Sequence, residues 1–168
     1  EMDIVSVFVD QVGEEDLSRQ RAEEHGFTIY PTIAETLRAG TDKLAVDGVL
    51  LIGEHGDYPY NEKRQKLYPR YEFFEQIVDV FREDDRAVPV FNDKHLSYSY
   101  EKAKRMVDAS KELDFPFLAG SSVPVSFRLP PLELPLGCDI EDVLTVGVGS
   151  LDSTDYHCLE GLQAMVER

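Results

Sequence analysis

Titratable side chains follow an apolar run in the middle of the chain, at the point where that run ends. Residues 46–52 are nearly all apolar, and the run stops at Gly53. A run without polar alternation is typical of a strand covered on both faces, so we predict a central strand of an α/β sheet here. Glu54, His55 and Asp57 come next, at the strand end where open α/β sheets bind their ligands. Any chemistry of this chain is therefore expected to start at these residues.

A second polar group follows another predicted strand, over residues 86–91. It includes Lys94 and His95. Because parallel strands end on one edge of a sheet, we expect Lys94 to face a solvent-filled cleft within reach of His55 or His157. Removing a solvent-facing lysine is expected to leave the melting temperature nearly unchanged.

Imidazole and carboxylate groups at one sheet edge are also a ligand set for a divalent metal. No H-x-x-x-H or H-x-H spacing supports such a site, and the two cysteines lack a C-x-x-C spacing. A metal-dependent enzyme, or a non-catalytic module that binds a small molecule, is therefore kept as an open alternative. The residues concerned are Glu54, His55, Asp57, Asp93, His95 and His157.

The composition limits the classes of function. The 168 residues carry 33 Asp and Glu against 17 Lys and Arg, for a net charge of -16. Such a charge repels phosphate backbones and anionic lipid heads, which argues against binding to nucleic acid or to a membrane surface. No apolar run approaches the roughly 18 residues of a membrane helix, and no signal peptide opens the chain. We therefore expect a soluble, cytoplasmic protein with a small-molecule substrate, and leave an upstream targeting segment open.

Strand and helix patterns alternate along the chain. Short apolar runs predict strands, and amphipathic or capped segments between them predict helices. This alternation favours a Rossmann-like α/β fold, in which a doubly wound, mostly parallel sheet is flanked by helices. The predicted strands are 3–10, 27–30, 46–53, 86–91 and 115–119, and the predicted helices include 14–25, 32–39, 71–82 and 155–167.

The pattern changes after Gly120. Residues 1–120 are expected to form the Rossmann-like domain, and residues 121–168 to pack on it as a crossing segment, a strand and a C-terminal helix. Four prolines within residues 121–137 exclude a regular helix and favour an extended segment on the surface. Residues 140–148 are predicted to be the additional strand.

Two stretches carry a resemblance to a known family. Residues 87–122, AVPVFNDKHLSYSYEKAKRMVDASKELDFPFLAGSS, resemble the strand, E-K-P-L motif, helix and closing strand of the nicotinamide-binding domain in the Gfo/Idh/MocA family, named after glucose-fructose oxidoreductase and inositol dehydrogenase. Residues 150–162, SLDSTDYHCLEGL, are similar to the helix that carries the family's D-x-x-x-H pair. The similarity extends over most of the chain.

The resemblance implies an NAD(P)-dependent oxidoreductase, with NAD or NADP as cofactor, that acts on a sugar, polyol or related hydroxy compound. It implies that Lys94 hydrogen-bonds the substrate and the nicotinamide, and that His157 exchanges a proton with the substrate hydroxyl. Asp10 lies where an acidic residue of the family often meets the adenosine ribose. The other implied residues are Gly53, Glu54, His55 and Asp93 toward the cofactor, and Asp57 and His95 toward the substrate.

The chain also departs from the family pattern. Asp93 replaces the glutamate of the motif, His95 replaces its proline, and Ser153 replaces the aspartate before the histidine. The phosphate-binding G-x-G-x-x-G loop is absent from the sequence, and so is the large C-terminal sheet domain.

The first strand of the family's sheet is missing as well, which splits the predicted sheet between residues 3–10 and 46–53. Buried backbone groups left unpaired cost on the order of 1 to 3 kcal/mol each. We therefore expect the two edges to be joined directly, or bridged by a strand from outside this sequence or from a neighbouring chain. We therefore expect this sequence to be part of a longer chain or to form a homo-oligomer, and not to be stable as a monomer. Without such a partner the apolar side chains of residues 121–137 would be exposed.

Overall fold

The computed structural model describes residues 2–150 and 154–167, which form strands and helices in alternation. We number the elements in chain order. They are β1 (Ser6–Phe8), α1 (Ser18–His25), β2 (Thr28–Tyr30), α2 (Ile33–Arg38), β3 (Val49–Leu51), α3 (Arg70–Asp84), β4 (Val90–Asp93), α4 (Tyr100–Glu112), β5 (Phe117–Gly120), a 3-10 turn (Val123–Val125) and α5 (Tyr156–Val166). The predicted α/β class, with parallel strands flanked by helices, is confirmed.

The helix boundaries have local causes. Gly26 ends α1 with φ at 76°, a left-handed conformation that glycine adopts without strain. Thr32 begins α2, because its side-chain oxygen accepts a hydrogen bond from the N–H of Glu35 at 3.1 Å. Ser99 caps α4 in the same way, through the N–H of Lys102 at 3.4 Å. These residues therefore fix where the helices between the strands begin or end.

The strands form two separate parallel sheets. β1 pairs with β2, and β3, β4 and β5 pair in that order. Among the described residues, β1 and β3 are not paired with each other, so the expected direct joining of their edges is not observed. The sheet is therefore divided at the place where the sequence predicted a missing strand.

Helix α2 holds the two sheets together. It contacts both β1 and α3, and the Ser6 hydroxyl donates to the carbonyl of Thr36 at 2.7 Å. On its other side, Arg38 donates from Nε and Nη2 to the Asp84 carboxylate at 3.1 and 3.0 Å. The rings of Phe8 and Phe73 also pack edge to face, at a centroid distance of 5.9 Å.

The core lies on one side of the three-stranded sheet. The α3 face that carries Phe74, Ile77, Val78 and Phe81 is buried, as its helical spacing predicts. Phe74 packs on Phe117 of β5 at 5.0 Å between ring centroids, and α4 adds Met106 to the same cluster.

The other side of this sheet has no helix over it in the described part of the chain. Leu50 of β3 and Leu118 of β5 are 58% and 68% exposed, and Ile52 is 66% exposed. The prediction that residues 46–53 form a central strand covered on both faces is therefore wrong for this chain. Both helices that follow β3 and β4 pack on the opposite side, and β3 has a neighbour on one edge.

Two expectations for the C-terminal part have different outcomes. Residues 140–148 do not form the predicted strand: within residues 2–150 and 154–167 no other strand pairs with them, and Leu144 and Val146 are exposed. Most apolar side chains of residues 121–137 are exposed, among them Phe127 and Leu129, whereas Leu134 is half-buried. The C-terminal helix is present as α5.

Candidate functional site

A buried ion pair lies where β3 and β4 end. Leu51 pairs with Asn92 across the two strands, which brings the residues that follow them together. The Lys94 ammonium donates to Oε1 of Glu54, and Lys94 is only 6% exposed. The expectation of a solvent-facing lysine is therefore wrong. The turn after β4 directs the side chain inward, toward the carboxylate that follows β3.

Arg70 is a second cation on the same carboxylate. It is the first residue of α3 and is 1% exposed. Its Nη2 donates to Glu54 Oε1 at 3.4 Å, Nη1 lies 3.4 Å from His95 Nε2, and its guanidinium stacks over the Tyr68 ring at 4.6 Å. The sequence reasoning missed Arg70. Its position could have indicated it, since a cation in the first turn opposes the helix dipole and needs a carboxylate nearby.

Glu54 and Asp93 form a coupled carboxyl pair at this edge. Burial opposes ionisation of Glu54, but the hydrogen bond and charge of Lys94, with help from Asp93 and Arg70, hold its pKa below the usual value. The pKa of Asp93 is raised, first by burial and then by its hydrogen bond to Glu54 and the charge of that neighbour. Glu54 thus carries the negative charge, and Asp93 is the carboxyl that retains a proton to higher pH.

The start of α5 supplies a second set of side chains beside the first. The rings of His95 and Tyr156 lie 5.8 Å apart. His157 Nδ1 is hydrogen-bonded to the Ser121 hydroxyl at 2.7 Å, and the Ser121 N–H donates to Glu160 Oε2 at 2.7 Å. Because Ser121 directly follows β5, the ends of β4 and β5 and the first turn of α5 converge.

The acid–base properties of this second set are partly determined by burial. Burial, followed by the charge and hydrogen bond of Glu160, raises the pKa of Tyr156 to about 12. Tyr156 is therefore a hydrogen-bond donor at neutral pH. The sequence reasoning missed Tyr156, Ser121 and Glu160, although all three are polar residues next to the predicted strand end or the predicted histidine.

The other predicted residues lie in the loops after β1 and β3. The Tyr58 hydroxyl donates to Asp10 Oδ2 at 2.8 Å, and burial together with this carboxylate raises the pKa of Tyr58. The Asp57 N–H donates to Gln11 Oε1 at 2.7 Å. His55 is exposed, with φ at 64°. These contacts tie the two loops together, and the reach of Lys94 to His55 or His157 stays a prediction.

Gly53 lies against the start of α3. A Cβ at this position would lie 2.8 Å from Cγ of Arg70, so the glycine allows the start of α3 to approach the strand end. No G-x-G-x-x-G loop occurs in the sequence, and Ser153 lies outside the described residues. Asp10 is exposed at the end of the loop that it shares with Tyr58. The described residues include no glycine loop suited to the diphosphate of a dinucleotide.

Neither a metal-binding cluster nor a helix able to span a membrane occurs within residues 2–150 and 154–167. No group of three or more His, Cys, Asp or Glu side chains is arranged to hold a metal ion there. In the same ranges, no helix has both the length and the apolar character to cross a membrane.

Comparison with known proteins gives matches to solved structures alone. No family model matches the chain, and no curated protein matches it. One similar structure is described as a "putative dehydrogenase" from Bordetella bronchiseptica RB50, with 19% identity over 76% of this chain and a TM-score of 0.49. Another is a "putative oxidoreductase" from Bacteroides fragilis NCTC 9343, with 11% identity over 70% of this chain and a TM-score of 0.43. The matched chain spans 28% and 27% of those proteins. Likeness at this level says nothing about the substrate or cofactor of this chain.

Proposed function

We propose that this domain belongs to an NAD(P)-dependent oxidoreductase that acts on a hydroxyl group of a sugar, polyol or related compound. The observation that carries the proposal is the buried ammonium of Lys94 at the carboxyl ends of β3 and β4. A buried lysine held by Glu54, in the same turn as the imidazole of His95, is suited to binding a hydroxyl, and we place His157 within reach of that hydroxyl as part of the proposal.

Each side chain has a definite part in this proposal. Lys94 would donate a hydrogen bond to the reacting oxygen and stabilise negative charge on it. Ser121 holds Nδ1 of His157, which leaves Nε2 as the atom that takes the hydroxyl proton. Tyr156, whose hydroxyl is hydrogen-bonded to Glu160, would accept a hydrogen bond from a second hydroxyl of the substrate. Glu54 orients the ammonium of Lys94 through the hydrogen bond that it accepts.

The cofactor would supply hydride transfer, and the residues described here would handle the proton. Asp10 is the residue suited to the adenosine ribose. A net charge of -16 repels a dinucleotide, and the described residues offer no binding site for the diphosphate. Residues beyond those described would therefore be required to hold NAD or NADP.

The test uses the protein expressed at the full length of its own gene. Turnover is measured with NAD⁺ and NADP⁺ against a panel of sugars and polyols, from the absorbance of the reduced nicotinamide. His157→Asn should lower kcat by roughly 100-fold or more, as expected for loss of a general base. Lys104→Ala is the matched control, because Lys104 is an exposed lysine of α4 paired with Asp108.

Two outcomes would contradict the proposal. Full activity in His157→Asn would show that another group takes the proton. Binding of a dinucleotide or a polyol without turnover on any compound of the panel would favour the non-catalytic binding module instead.

A further inference from the structure

Residues 55–68, which we call the site loop, begin and end on the buried ion pair. Glu54, directly before the loop, holds the ammonium of Lys94. Arg70, two residues after the loop, contacts the same carboxylate at 3.4 Å. The ring of Tyr68, the last residue of the loop, lies over the guanidinium of Arg70 at 4.6 Å. Both ends of the site loop are therefore attached to the residues of the candidate site.

The middle of the site loop is a small hairpin with its own hydrogen bonds. Tyr60 and Lys66 form an antiparallel bridge, and the N–H of Leu67 donates to the carbonyl of Pro59 at 2.9 Å. The ammonium of Lys66 also lies over the Tyr60 ring, 5.8 Å from its centroid. Because these contacts are internal, the loop can move as one piece without losing them.

Polar contacts near the surface fasten the site loop to the loop after β1. The Tyr58 hydroxyl donates to Asp10 Oδ2 at 2.8 Å. The Asp57 N–H donates to Gln11 Oε1 at 2.7 Å, and Gln11 Nε2 donates back to the Asp57 carbonyl at 3.4 Å. We call these three hydrogen bonds the latch. All residues of the site loop are exposed or half-buried, and segments held by exposed polar contacts open at a lower free energy than the core.

The start of the site loop has the backbone conformation of a hinge. His55 and Gly56 both have positive φ, at 64° and 23°. A residue with a Cβ is uncommon in this region and is held there by its surroundings. On the far side of the loop, Gln65 Nε2 lies 3.5 Å from the carbonyl of Tyr98, at the limit of a hydrogen bond. Breaking the latch would therefore allow the loop to turn about His55 and Gly56.

Access to Lys94 is the reason why such a movement matters. Lys94 is 6% exposed, so a substrate oxygen has little access to its ammonium in this arrangement. We propose that the site loop is a lid, closed in this structure by the latch, and that it opens about His55 and Gly56 to admit substrate to Lys94. The proposal describes the regulation of access to the site of the proposed function and rests on that function, but its test needs no turnover.

Chemical labelling of lysines measures whether the lid opens. The protein, expressed at the full length of its own gene, is treated with N-hydroxysuccinimidyl acetate, and acetylation of each lysine is followed by mass spectrometry of its peptides. In the wild type, Lys94 should react roughly 100-fold or more slowly than Lys104, because Lys104 is exposed and Lys94 reacts only in the open form.

A pair of tyrosine variants tests the latch. Tyr58→Phe removes the hydrogen bond to the Asp10 carboxylate. Because hydrogen bonds to charged groups are the stronger ones, labelling of Lys94 should become faster by roughly 10-fold, whereas labelling of Lys104 should not change. Tyr60→Phe is the matched control, since it makes the same chemical change in the same loop at a residue that is 64% exposed.

Urea distinguishes opening of the lid from unfolding of the whole protein, and this measurement needs no variant. Opening of a surface loop exposes little new surface, so labelling of Lys94 in the wild type should change little with urea below the unfolding transition. Labelling through global unfolding would instead rise steeply with urea, because unfolding exposes a large surface.

Three results would overturn the proposal. They are labelling of Lys94 as fast as that of Lys104 in the wild type, a steep dependence of Lys94 labelling on urea, and equal Lys94 rates in Tyr58→Phe and Tyr60→Phe. A failure of the proposed function gives a different result. Absence of turnover on every substrate, together with faster labelling of Lys94 in Tyr58→Phe alone, would contradict the oxidoreductase and support the lid.

Discussion

Loss of the Lys94 side chain is expected to destabilise the protein strongly, in contrast to the expectation from sequence. The ammonium is buried and its partner is the Glu54 carboxylate. Removing one member of a buried pair leaves the other charge without compensation, which costs about 3–5 kcal/mol in fully buried pairs. The Glu54 side chain is 20% exposed and also contacts Arg70, so its charge would be partly compensated without Lys94. We therefore expect a loss of about 2–4 kcal/mol for Lys94→Ala.

The expected loss is measurable as a change in thermal stability. For a chain of this length, each kcal/mol shifts the melting temperature by roughly 2–4 °C, so the variant should melt about 4–16 °C lower. The assay is thermal unfolding followed by circular dichroism, with urea unfolding as a second measure. Lys104→Ala is the matched control, because the pair of Lys104 with Asp108 in α4 is exposed and should contribute little to stability.

A double-mutant cycle separates the ion pair from the loss of packing. Glu54→Gln keeps the shape of the side chain and removes its charge. If the ion pair causes the loss of stability, Lys94→Ala should destabilise the Glu54→Gln variant much less than the wild type. The difference between the two losses, which is the coupling energy of the pair, should be about 1 kcal/mol or more. A melting temperature for Lys94→Ala that matches Lys104→Ala would refute the reasoning. It would show that water screens the pair in solution.

Two further predictions concern positions outside the proposed chemistry. Gly53→Ala should destabilise by about 1–3 kcal/mol, because the new Cβ would lie 2.8 Å from Arg70 Cγ, whereas Gly13→Ala, with no atom within 4 Å, should be close to neutral in urea unfolding. The hydrogen bond from Arg38 lowers the pKa of Asp84. The ionised Asp84 carboxylate therefore stabilises the folded protein at pH values above the pKa that Asp84 has in the unfolded state, and this stabilisation is lost as the pH falls through the pKa of the folded state. Asp84→Asn should therefore be less stable than the wild type at pH 7, with a difference that shrinks in acid; a constant difference down to low pH would contradict this.

Local patterns in the sequence were sufficient for the type and approximate place of most elements. The helical spacing of apolar residues in α3 predicted the buried side that carries Phe74 and Phe81. The spacing of Thr32 and Glu35 predicted the start of α2, and Gly26 predicted the end of α1. These features depend on residues within a few positions of each other, so the sequence alone carries them.

Which side of an element meets water was decided by tertiary structure. The apolar run of residues 46–52 is compatible with a strand covered on both sides, yet Leu50 is exposed because both following helices pack on the other side. Lys94 was expected at the surface, and the pairing of β3 with β4 places it against Glu54. Arg70 joins them from a helix that begins 16 residues after Glu54. The sequence by itself determined which polar residues follow each strand, whereas their partners were determined by contacts between segments distant in the chain, which no local pattern encodes.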